Sequence, residues 1–258
     1  MTEQERQAVL EEGERLDDIG FGGLQLIQKP GEFCYGIDAV LLADFASAGK
    51  AGKIADLGTG TGIIPLILSH KTEAEEIWGI EIQKDSWSRA VRAAKLNQLE
   101  DRLHFVCCDV KEAAEQLTAG RFDVVVSNPP YTRAVCGMQS ENRAKMIARH
   151  ETTAGLEDFI LAASRLLRKG GSFFLIHRPE RIPDICWHCR NCGMETKEMR
   201  LVSTNRDVKP SMVLVRCVKG GGNELRFRNP LYIYRQNGSY TSEIQRIYER
   251  NREKNQSG

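Results

Sequence analysis

The amino-acid sequence predicts an α/β fold in which helices cover both faces of a mostly parallel sheet. Short apolar segments of strand length alternate with segments of helical length and spacing, which is the pattern of repeated strand–helix–strand units. A glycine-rich turn at residues 58–62 separates the first strand of this series from the helix that follows it. The two closing strands have no helix between them, so we expect them to pair antiparallel at one edge of the sheet.

The elements follow in a regular order. Residues 3–17 are predicted to form a polar helix or a loose arm, which glycines from Gly20 onward end. Asp38 has a side chain typical of a helix N-cap, and the apolar run 39–46 after it predicts a buried helix. Seven strands are predicted, each a short apolar run, at residues 53–57, 77–82, 103–107, 122–127, 172–177, 198–203 and 212–218. The helices between them are predicted at residues 63–70, 85–98, 110–117, 156–167 and 181–192.

The chain divides into three predicted regions. These are an N-terminal arm at 1–32, a catalytic domain at 33–219 and a basic C-terminal extension at 220–258, which begins at three consecutive glycines. Residues 1–32 hold 3 basic and 8 acidic residues, whereas residues 196–258 hold 13 basic and 6 acidic residues. This asymmetry, hidden in a net charge of +1, indicates an anionic partner such as nucleic acid.

Composition excludes several classes of protein. The chain has 258 residues, of which 41% are hydrophobic and 28% charged, as in ordinary globular proteins. No apolar run reaches about 18 residues, so we expect no membrane span. The acidic, polar start lacks the features of a secretory signal, and eight cysteines without such a signal indicate reduced thiols, so we expect a cytoplasmic location. Cys186, Cys189 and Cys192 share one helix face, and we expect no metal there.

The glycine-rich turn predicts a ligand at the start of a helix. Gly58, Gly60 and Gly62 are spaced G-x-G-x-G, which differs from the G-x-G-x-x-G of dinucleotide-binding folds. Glu81 ends the second strand of the series, where a carboxylate can accept both hydroxyls of a ribose, and Asp109 ends the third, where it can accept an adenine amino proton. All these features fall at the carboxyl ends of the strands, where open α/β sheets bind ligands.

The tetrapeptide Asn128-Pro129-Pro130-Tyr131 closes the fourth strand beside this expected site. The amino group of a base or an amide is a poor nucleophile because its lone pair is delocalised into the π system. Acceptors that hold its protons localise the lone pair, and the Asn128 side chain and the Pro129 carbonyl are such acceptors. Tyr131 offers a face on which a flat base can stack. Catalysis would then be mainly positioning and electrostatics.

Together these motifs resemble the class I S-adenosylmethionine-dependent methyltransferases over roughly residues 33–218. The resemblance implies a Rossmann-like sheet and S-adenosyl-L-methionine as cofactor, with Glu81 on its ribose and Asp109 on its adenine. It implies that the residues around the methionine part are Asp56, Gly58, Gly60 and Gly62. The tetrapeptide resembles that of the amino-group methyltransferases, whose targets are adenine N6, guanine N2 and the glutamine amide.

Four further segments, residues 33–43, 148–151, 177–181 and 209–215, resemble the bacterial tRNA1(Val) adenine-37 N6-methyltransferase family. This resemblance implies tRNA as partner and adds Tyr35, Gly36 and Asp38 to the cofactor residues, together with Asn128 itself. Ile37 stands where the family often has Thr, and Thr132 stands where it often has an aromatic residue.

The sequence also allows other hypotheses about the function. The same tetrapeptide would serve a methyltransferase for ribosomal RNA guanine N2, DNA adenine N6 or a release-factor glutamine amide. A cofactor- or RNA-binding module without turnover is a further alternative. The basic segment after Tyr131, which contains Arg133, Arg143, Lys145 and Arg149, is interpreted as a lid that meets RNA phosphates or as a solvated loop.

Overall fold

A computed structural model describes residues 9–31, 35–47, 51–130 and 154–249. Tyr131 and the basic segment predicted to form a lid lie outside the described residues.

The described part of the N-terminal arm forms a hairpin, so the prediction of a helix reaching residue 17 was wrong. β1 (Arg15–Asp18) pairs antiparallel with β2 (Gln25–Gln28). The glycines of the connecting turn adopt positive φ, and the Ile19 N–H donates to the Leu24 carbonyl at 3.1 Å. The hairpin is stabilised by the burial of three apolar side chains from its turn and second strand, namely Phe21, Leu26 and Ile27.

The main sheet contains the predicted strands in the predicted order. They are β3 (Lys53–Leu57), β4 (Glu76–Glu81), β5 (Leu103–Cys107), β6 (Phe122–Ser127), β7 (Leu167–His177), β8 (Met194–Ser203) and β9 (Met212–Lys219). The pairing order is β5-β4-β3-β6-β7-β9-β8, and the strands from β3 to β7 are parallel. The antiparallel strand is β9, which lies between β7 and β8.

Residues beyond the three glycines extend this sheet. β10 (Arg226–Phe227) and β11 (Leu231–Tyr232) both pair parallel with β8, which brings the sheet to nine strands. A last helix, α7 (Ser242–Ile247), buries Ile244 and Ile247 in the same core as the N-terminal hairpin. The segment 220–249 therefore packs on the sheet that holds the glycine-rich turn.

Helices cover both faces of the sheet. The remaining helices are α1 (Ile37–Ala46), α2 (Ile63–Lys71), α3 (Lys84–Leu96), α4 (Ala113–Leu117), α5 (Leu156–Leu166) and α6 (Ile182–Asn191). Alternate residues of β6 belong to opposite cores, because successive side chains of a strand point to opposite faces. Val124 and Val126 belong to the core that contains buried residues of α1, α2 and α7, whereas Val125 belongs to the core that contains buried residues of α4, α5 and α6.

Asp38 is not the N-cap of α1, contrary to the prediction. The helix begins at Ile37, two residues before the predicted start, and Gly36 is its N-cap without a side-chain cap. The Asp38 carboxylate instead lies in the first turn, where its Oδ1 accepts a hydrogen bond from the Ala39 N–H at 3.0 Å. A negative charge in this position stabilises the helix because it faces the positive end of the helix dipole.

Candidate active site

The glycine-rich turn is fixed to the neighbouring strand by backbone hydrogen bonds. The N–H groups of Gly58 and Thr59 both donate to the Ile80 carbonyl, at 2.9 and 3.0 Å. The Gly62 N–H donates to the Thr59 carbonyl at 3.0 Å and closes the turn just before α2. The turn therefore holds a rigid backbone surface at the carboxyl ends of β3 and β4.

The three glycines of the turn serve two purposes. All have φ between +58° and +85°, where other residues are strained. A side chain at Gly58 would meet the Phe159 ring at 3.2 Å, and one at Gly62 would meet the Ala90 methyl at 3.1 Å. A Cβ at Gly60 would meet no atom of the described residues within 4 Å. Gly58 and Gly62 therefore allow packing, whereas Gly60 leaves open space in which a ligand can approach the backbone.

Glu81 lies at the end of β4, as predicted, and is 6% exposed. Its Oε2 accepts from the Gly60 N–H at 2.8 Å, and its Oε1 accepts from the Gln83 N–H at 2.8 Å. The carboxylate thus fixes the open position of the glycine turn. Each carboxylate oxygen can accept more than one hydrogen bond, so this arrangement is compatible with a further donor from a ligand.

Asp56 is fully buried beneath the turn. Neither of its carboxylate oxygens has a hydrogen-bond partner within the described residues. Burial raises the pKa of Asp56 to about 7; the nearby Thr59 hydroxyl lowers it and the Glu81 charge raises it. A fully buried carboxylate with so little hydrogen bonding is costly, and functional sites are where such groups concentrate.

Asn128 lies at the end of β6, where its side chain meets that of Asp38. The Asn128 Nδ2 donates to Asp38 Oδ2 at 3.0 Å. Because a carboxylate is only an acceptor, the amide must turn its NH2 group toward Asp38, and this fixes the orientation of the side chain. The close approach needs a small residue at Gly36, where a Cβ would lie 2.7 Å from Asp38 Oδ1.

The residues on either side of Asn128 hold the end of β6. Ser127 is fully buried, and its hydroxyl donates to the Leu57 carbonyl at 2.9 Å, which ties β6 to β3. Pro129 is buried and Pro130 is exposed. Tyr131, the predicted stacking residue, lies outside the described residues.

Two predicted site residues have their described contacts elsewhere. Asp109 ends β5, where its Oδ1 accepts from the Lys111 N–H at 3.0 Å and caps a short 3-10 turn at Val110–Glu112. Tyr35 packs against the core, and burial together with the charges of Asp17 and Asp18 raises its pKa. The described contacts join Asp38 to Asn128 and Gly60 to Glu81, and they join neither Tyr35 nor Asp109 to these pairs.

The sequence analysis did not predict three residues that lie near the site. Thr59 is buried beside Asp56, and its only sequence signal is its place between two glycines. Phe159 of α5 packs under Gly58 and is indistinguishable in sequence from any other core residue. His177 ends β7 and is buried, with its Nδ1 accepting from the Arg178 N–H at 2.8 Å. Burial and the positive charges of Arg181 and Arg178 lower the pKa of His177 to about 4.

The cysteine-rich helix lies away from this edge of the sheet. Cys189 is fully buried on α6, with its Sγ 3.4 Å from that of Cys217 on β9. The described residues contain no group of three or more His, Cys, Asp or Glu side chains arranged to hold a metal ion. Among the helices of the described residues, none has the length and apolar character needed to cross a membrane.

Comparison with protein families identifies the region that carries the site. Residues 23–183 match the model of the family described as "Methyltransferase small domain". This match spans the glycine-rich turn, both carboxylates at the strand ends and the Asn-Pro-Pro sequence.

Curated relatives resemble the chain over most of its length. A Porphyromonas gingivalis (strain ATCC BAA-308 / W83) protein named "tRNA1(Val) (adenine(37)-N6)-methyltransferase" is 31% identical over 222 residues, which cover 83% of this chain and 86% of the relative. A Proteus mirabilis protein of the same name is 32% identical over 146 residues, 56% of this chain and 57% of the relative.

Solved structures share the fold. A "predicted O-methyltransferase" from Agrobacterium tumefaciens superposes with a TM-score of 0.65 and 26% identity, covering 82% of this chain and 95% of that one. A T. thermophilus 16S rRNA N2 G1207 methyltransferase, solved with AdoMet and guanosine, superposes with a TM-score of 0.56 and 21% identity, covering 81% and 52%.

Proposed function

The chain belongs to the methyltransferase small domain family and to the family of its tRNA1(Val) (adenine(37)-N6)-methyltransferase relatives, and from this premise we propose that it methylates adenine N6 in tRNA. The proposed target is adenine 37 of tRNA1(Val), which the names of the relatives specify. The enzyme is an S-adenosylmethionine-dependent methyltransferase of class I fold.

The observation that carries this proposal is the orientation of Asn128. Its NH2 group faces Asp38, and we propose that its Oδ1 accepts a hydrogen bond from the amino group of the substrate. An amide oxygen accepts a hydrogen bond from an adenine amino group, which localises the nitrogen lone pair away from the ring system. The buried Pro129 has no N–H, and we propose its carbonyl as the second acceptor.

The residues of the site fit the cofactor. S-adenosylmethionine, when bound, supplies a methyl group on a positively charged sulfur. We propose that Asp56 and Glu81 favour this cationic ligand, since Asp56 is a fully buried carboxylate beneath the turn and Glu81 lies beside Gly60. The open space at Gly60 admits the ligand to the backbone at the start of α2. We also propose that Asp109 contacts the adenine of the cofactor. The residues proposed for its methionine end are Tyr35, Gly36 and Asp38.

The similar proteins differ in the atom that receives the methyl group, since one is described as a predicted O-methyltransferase. Transfer to a hydroxyl needs a group that removes its proton, and the amide of Asn128 has no basic atom for this step. A planar amine needs no such group, because its proton becomes acidic only as the new bond forms. The amide at this position therefore favours nitrogen as the acceptor.

The direct test is methyl transfer to RNA. The protein is incubated with labelled S-adenosylmethionine and unmodified total tRNA, which is then digested to nucleosides. We expect the label in N6-methyladenosine. If the cofactor binds and the label is absent from RNA, the proposed substrate is wrong, and a glutamine amide or another nucleic acid takes its place.

A variant tests the role of the amide. Asn128→Ala removes the acceptor, and we expect kcat to fall about 100-fold or more, as when one preorganised polar group is removed from an active site. The Kd for S-adenosylmethionine should stay within a few-fold of wild type. Asn191→Ala, at an exposed position on α6, is the matched control and should leave kcat unchanged.

A further inference from the structure

A groove lies beside the C-terminal segment, outside the site described above. Its volume is about 900 Å³, and its lining includes Asn205, Arg206, Tyr232, Tyr234, Arg235 and Asn237. We call this the C-terminal groove. These side chains are arginines, tyrosines and amides, the types that contact phosphates, stack on bases and form hydrogen bonds with base edges.

The topology places the C-terminal groove at the same edge of the sheet as Asn128. β9 runs antiparallel to β7 and β8 runs antiparallel to β9, so the carboxyl end of β8 returns to the edge where β6 and β7 end. β11 runs parallel to β8, with Tyr232 beside Ser203. Four strand spacings separate β6 from β11, which is about 19 Å along the sheet edge.

A column of stacked aromatic rings ends in this groove. Tyr234 stacks on Tyr240 at 5.1 Å and 12°, Tyr240 stacks on Tyr248 at 5.9 Å and 19°, and Tyr248 stacks on Phe21 at 6.2 Å and 20°. Phe21 is fully buried, whereas Tyr234 is 36% exposed. The buried end of the column holds the exposed ring in one orientation, as a stacking platform for a base requires.

Two arginines of the groove have no acidic partner among the described residues. The ion pairs of the described chain include neither Arg206 nor Arg235. The Arg206 guanidinium lies 5.5 Å from the centre of the Tyr232 ring, which positions it without neutralising it. Glu243 is the acidic residue of the lining, and it pairs with Arg200 at 2.8 Å.

We propose that the C-terminal groove binds unpaired nucleotides of the RNA substrate at a distance of about 19 Å from the nucleotide that is methylated. Arg206 and Arg235 contact backbone phosphates, and one base stacks on Tyr234. This inference rests on the proposed function for the identity of the RNA, but its central test is binding, which does not depend on methyl transfer.

The test uses the full-length protein and an unmodified tRNA transcript. In the double variant Arg206→Ala/Arg235→Ala we expect the Kd for the transcript to rise at least tenfold. The slope of log K against log salt should fall by about 1.5, since two phosphate contacts are lost. With the wild-type enzyme active on tRNA, KM for tRNA should rise while kcat at saturation and the Kd for S-adenosylmethionine stay unchanged.

A second pair of variants tests the Tyr234 ring separately from the charges of Arg206 and Arg235. Tyr234→Leu keeps an apolar side chain in the column but removes the flat ring, and we expect several-fold weaker binding of the transcript. Tyr234→Phe keeps the stacking surface and should bind the transcript as tightly as wild type. The matched control Arg190→Ala removes an exposed arginine of α6 that pairs with Glu195, and it should change neither the Kd nor the salt slope.

The outcomes separate this proposal from the proposed function. If the groove variants bind the transcript as tightly as wild type, the groove is not an RNA site. The alternative hypothesis is then that it binds a protein partner. If wild-type protein binds the transcript without methylating it, the proposed function fails while the groove variants still report on binding. If Arg190→Ala weakens binding as much as the double variant, the effect is one of net charge and the proposal is overturned.

Discussion

Asp38 Oδ2 accepts a hydrogen bond from Asn128 Nδ2 at 3.0 Å, across 90 residues of sequence. Asp38 lies in the first turn of α1, and Asn128 follows β6 at the carboxyl edge of the sheet. A single hydrogen bond therefore connects the segment before the glycine-rich turn to the residue that we propose as the acceptor of the substrate amine. Its geometry fixes which face of the amide is presented to a ligand.

The first prediction concerns this hydrogen bond. Asp38→Ala removes the carboxylate that accepts from the Asn128 amide, and we expect kcat to fall between 10- and 100-fold, the value of one hydrogen bond to a charged group. Steady-state kinetics on tRNA measures the effect. In a double-mutant cycle, Asp38→Ala should have little further effect in the Asn128→Ala background. Additive losses would mean that Asp38 acts by another route.

The second prediction separates open from packed glycines. Gly60→Ala places a methyl group in open space at φ +58°, so we expect a loss of stability of about 1 kcal/mol and a Kd for S-adenosylmethionine raised at least tenfold. Gly120→Ala is the matched control, because it has φ +72° and equally open surroundings at a distant turn. The Gly120→Ala variant should lose the same stability and keep the wild-type Kd for S-adenosylmethionine. If Gly60→Ala and Gly120→Ala bind S-adenosylmethionine equally well, no ligand lies at Gly60.

The third prediction follows from the pKa of Asp56, raised from 3.8 to about 7 by burial. The folded protein then holds a proton that the unfolded chain releases between these values, so this group's contribution to stability is lost as pH rises from about 4 to 7. In Asp56→Asn that loss is absent. The variant should therefore gain stability relative to wild type over this range, by up to about 4 kcal/mol, and level off above pH 7.

Denaturant titrations of both proteins between pH 4.5 and 8 measure this difference. Cofactor binding provides a second readout, since Asp56→Asn should weaken the binding of S-adenosylmethionine although it stabilises the ligand-free protein above pH 7. A difference in stability that does not change with pH would show that Asp56 is ionised in the same way in both states.

The fourth prediction concerns His177, whose pKa burial lowers from 6.5 to about 4. The unfolded chain binds a proton there before the folded protein does, so the contribution of His177 to stability is full above pH 6.5 and is lost as pH falls toward 4. His177→Gln removes this titration. Wild type should lose up to about 3 kcal/mol relative to the variant between pH 7 and 4, and parallel unfolding curves would contradict the shift.

The order of the strands in the chain was predictable because apolar runs of strand length and glycine-bounded helices leave a clear pattern in the sequence. Of the two alternatives for residues 3–17, the polar helix is contradicted where β1 forms at Arg15–Asp18, since polar residues at the surface of a hairpin resemble those of a solvent-exposed helix. The N-cap prediction at Asp38 failed because Gly36 has no side chain to mark the true helix start. The C-terminal groove was beyond prediction, since parallel pairing of β11 with β8 joins segments that share no local pattern.

The elements of the candidate site are predictable from the sequence: a strand, a G-x-G-x-G turn, two carboxylates after strands and an Asn-Pro-Pro sequence after the fourth parallel strand. Residue type and spacing carry that information because strand ends meet at one edge whenever the sheet is parallel. Three contacts become visible in the folded chain alone: Asp38 orients Asn128, Glu81 holds Gly60, and Tyr234 ends a column of rings that begins at Phe21. Such contacts join residues far apart in the chain, and their geometry depends on packing between elements, which no local pattern of side chains encodes.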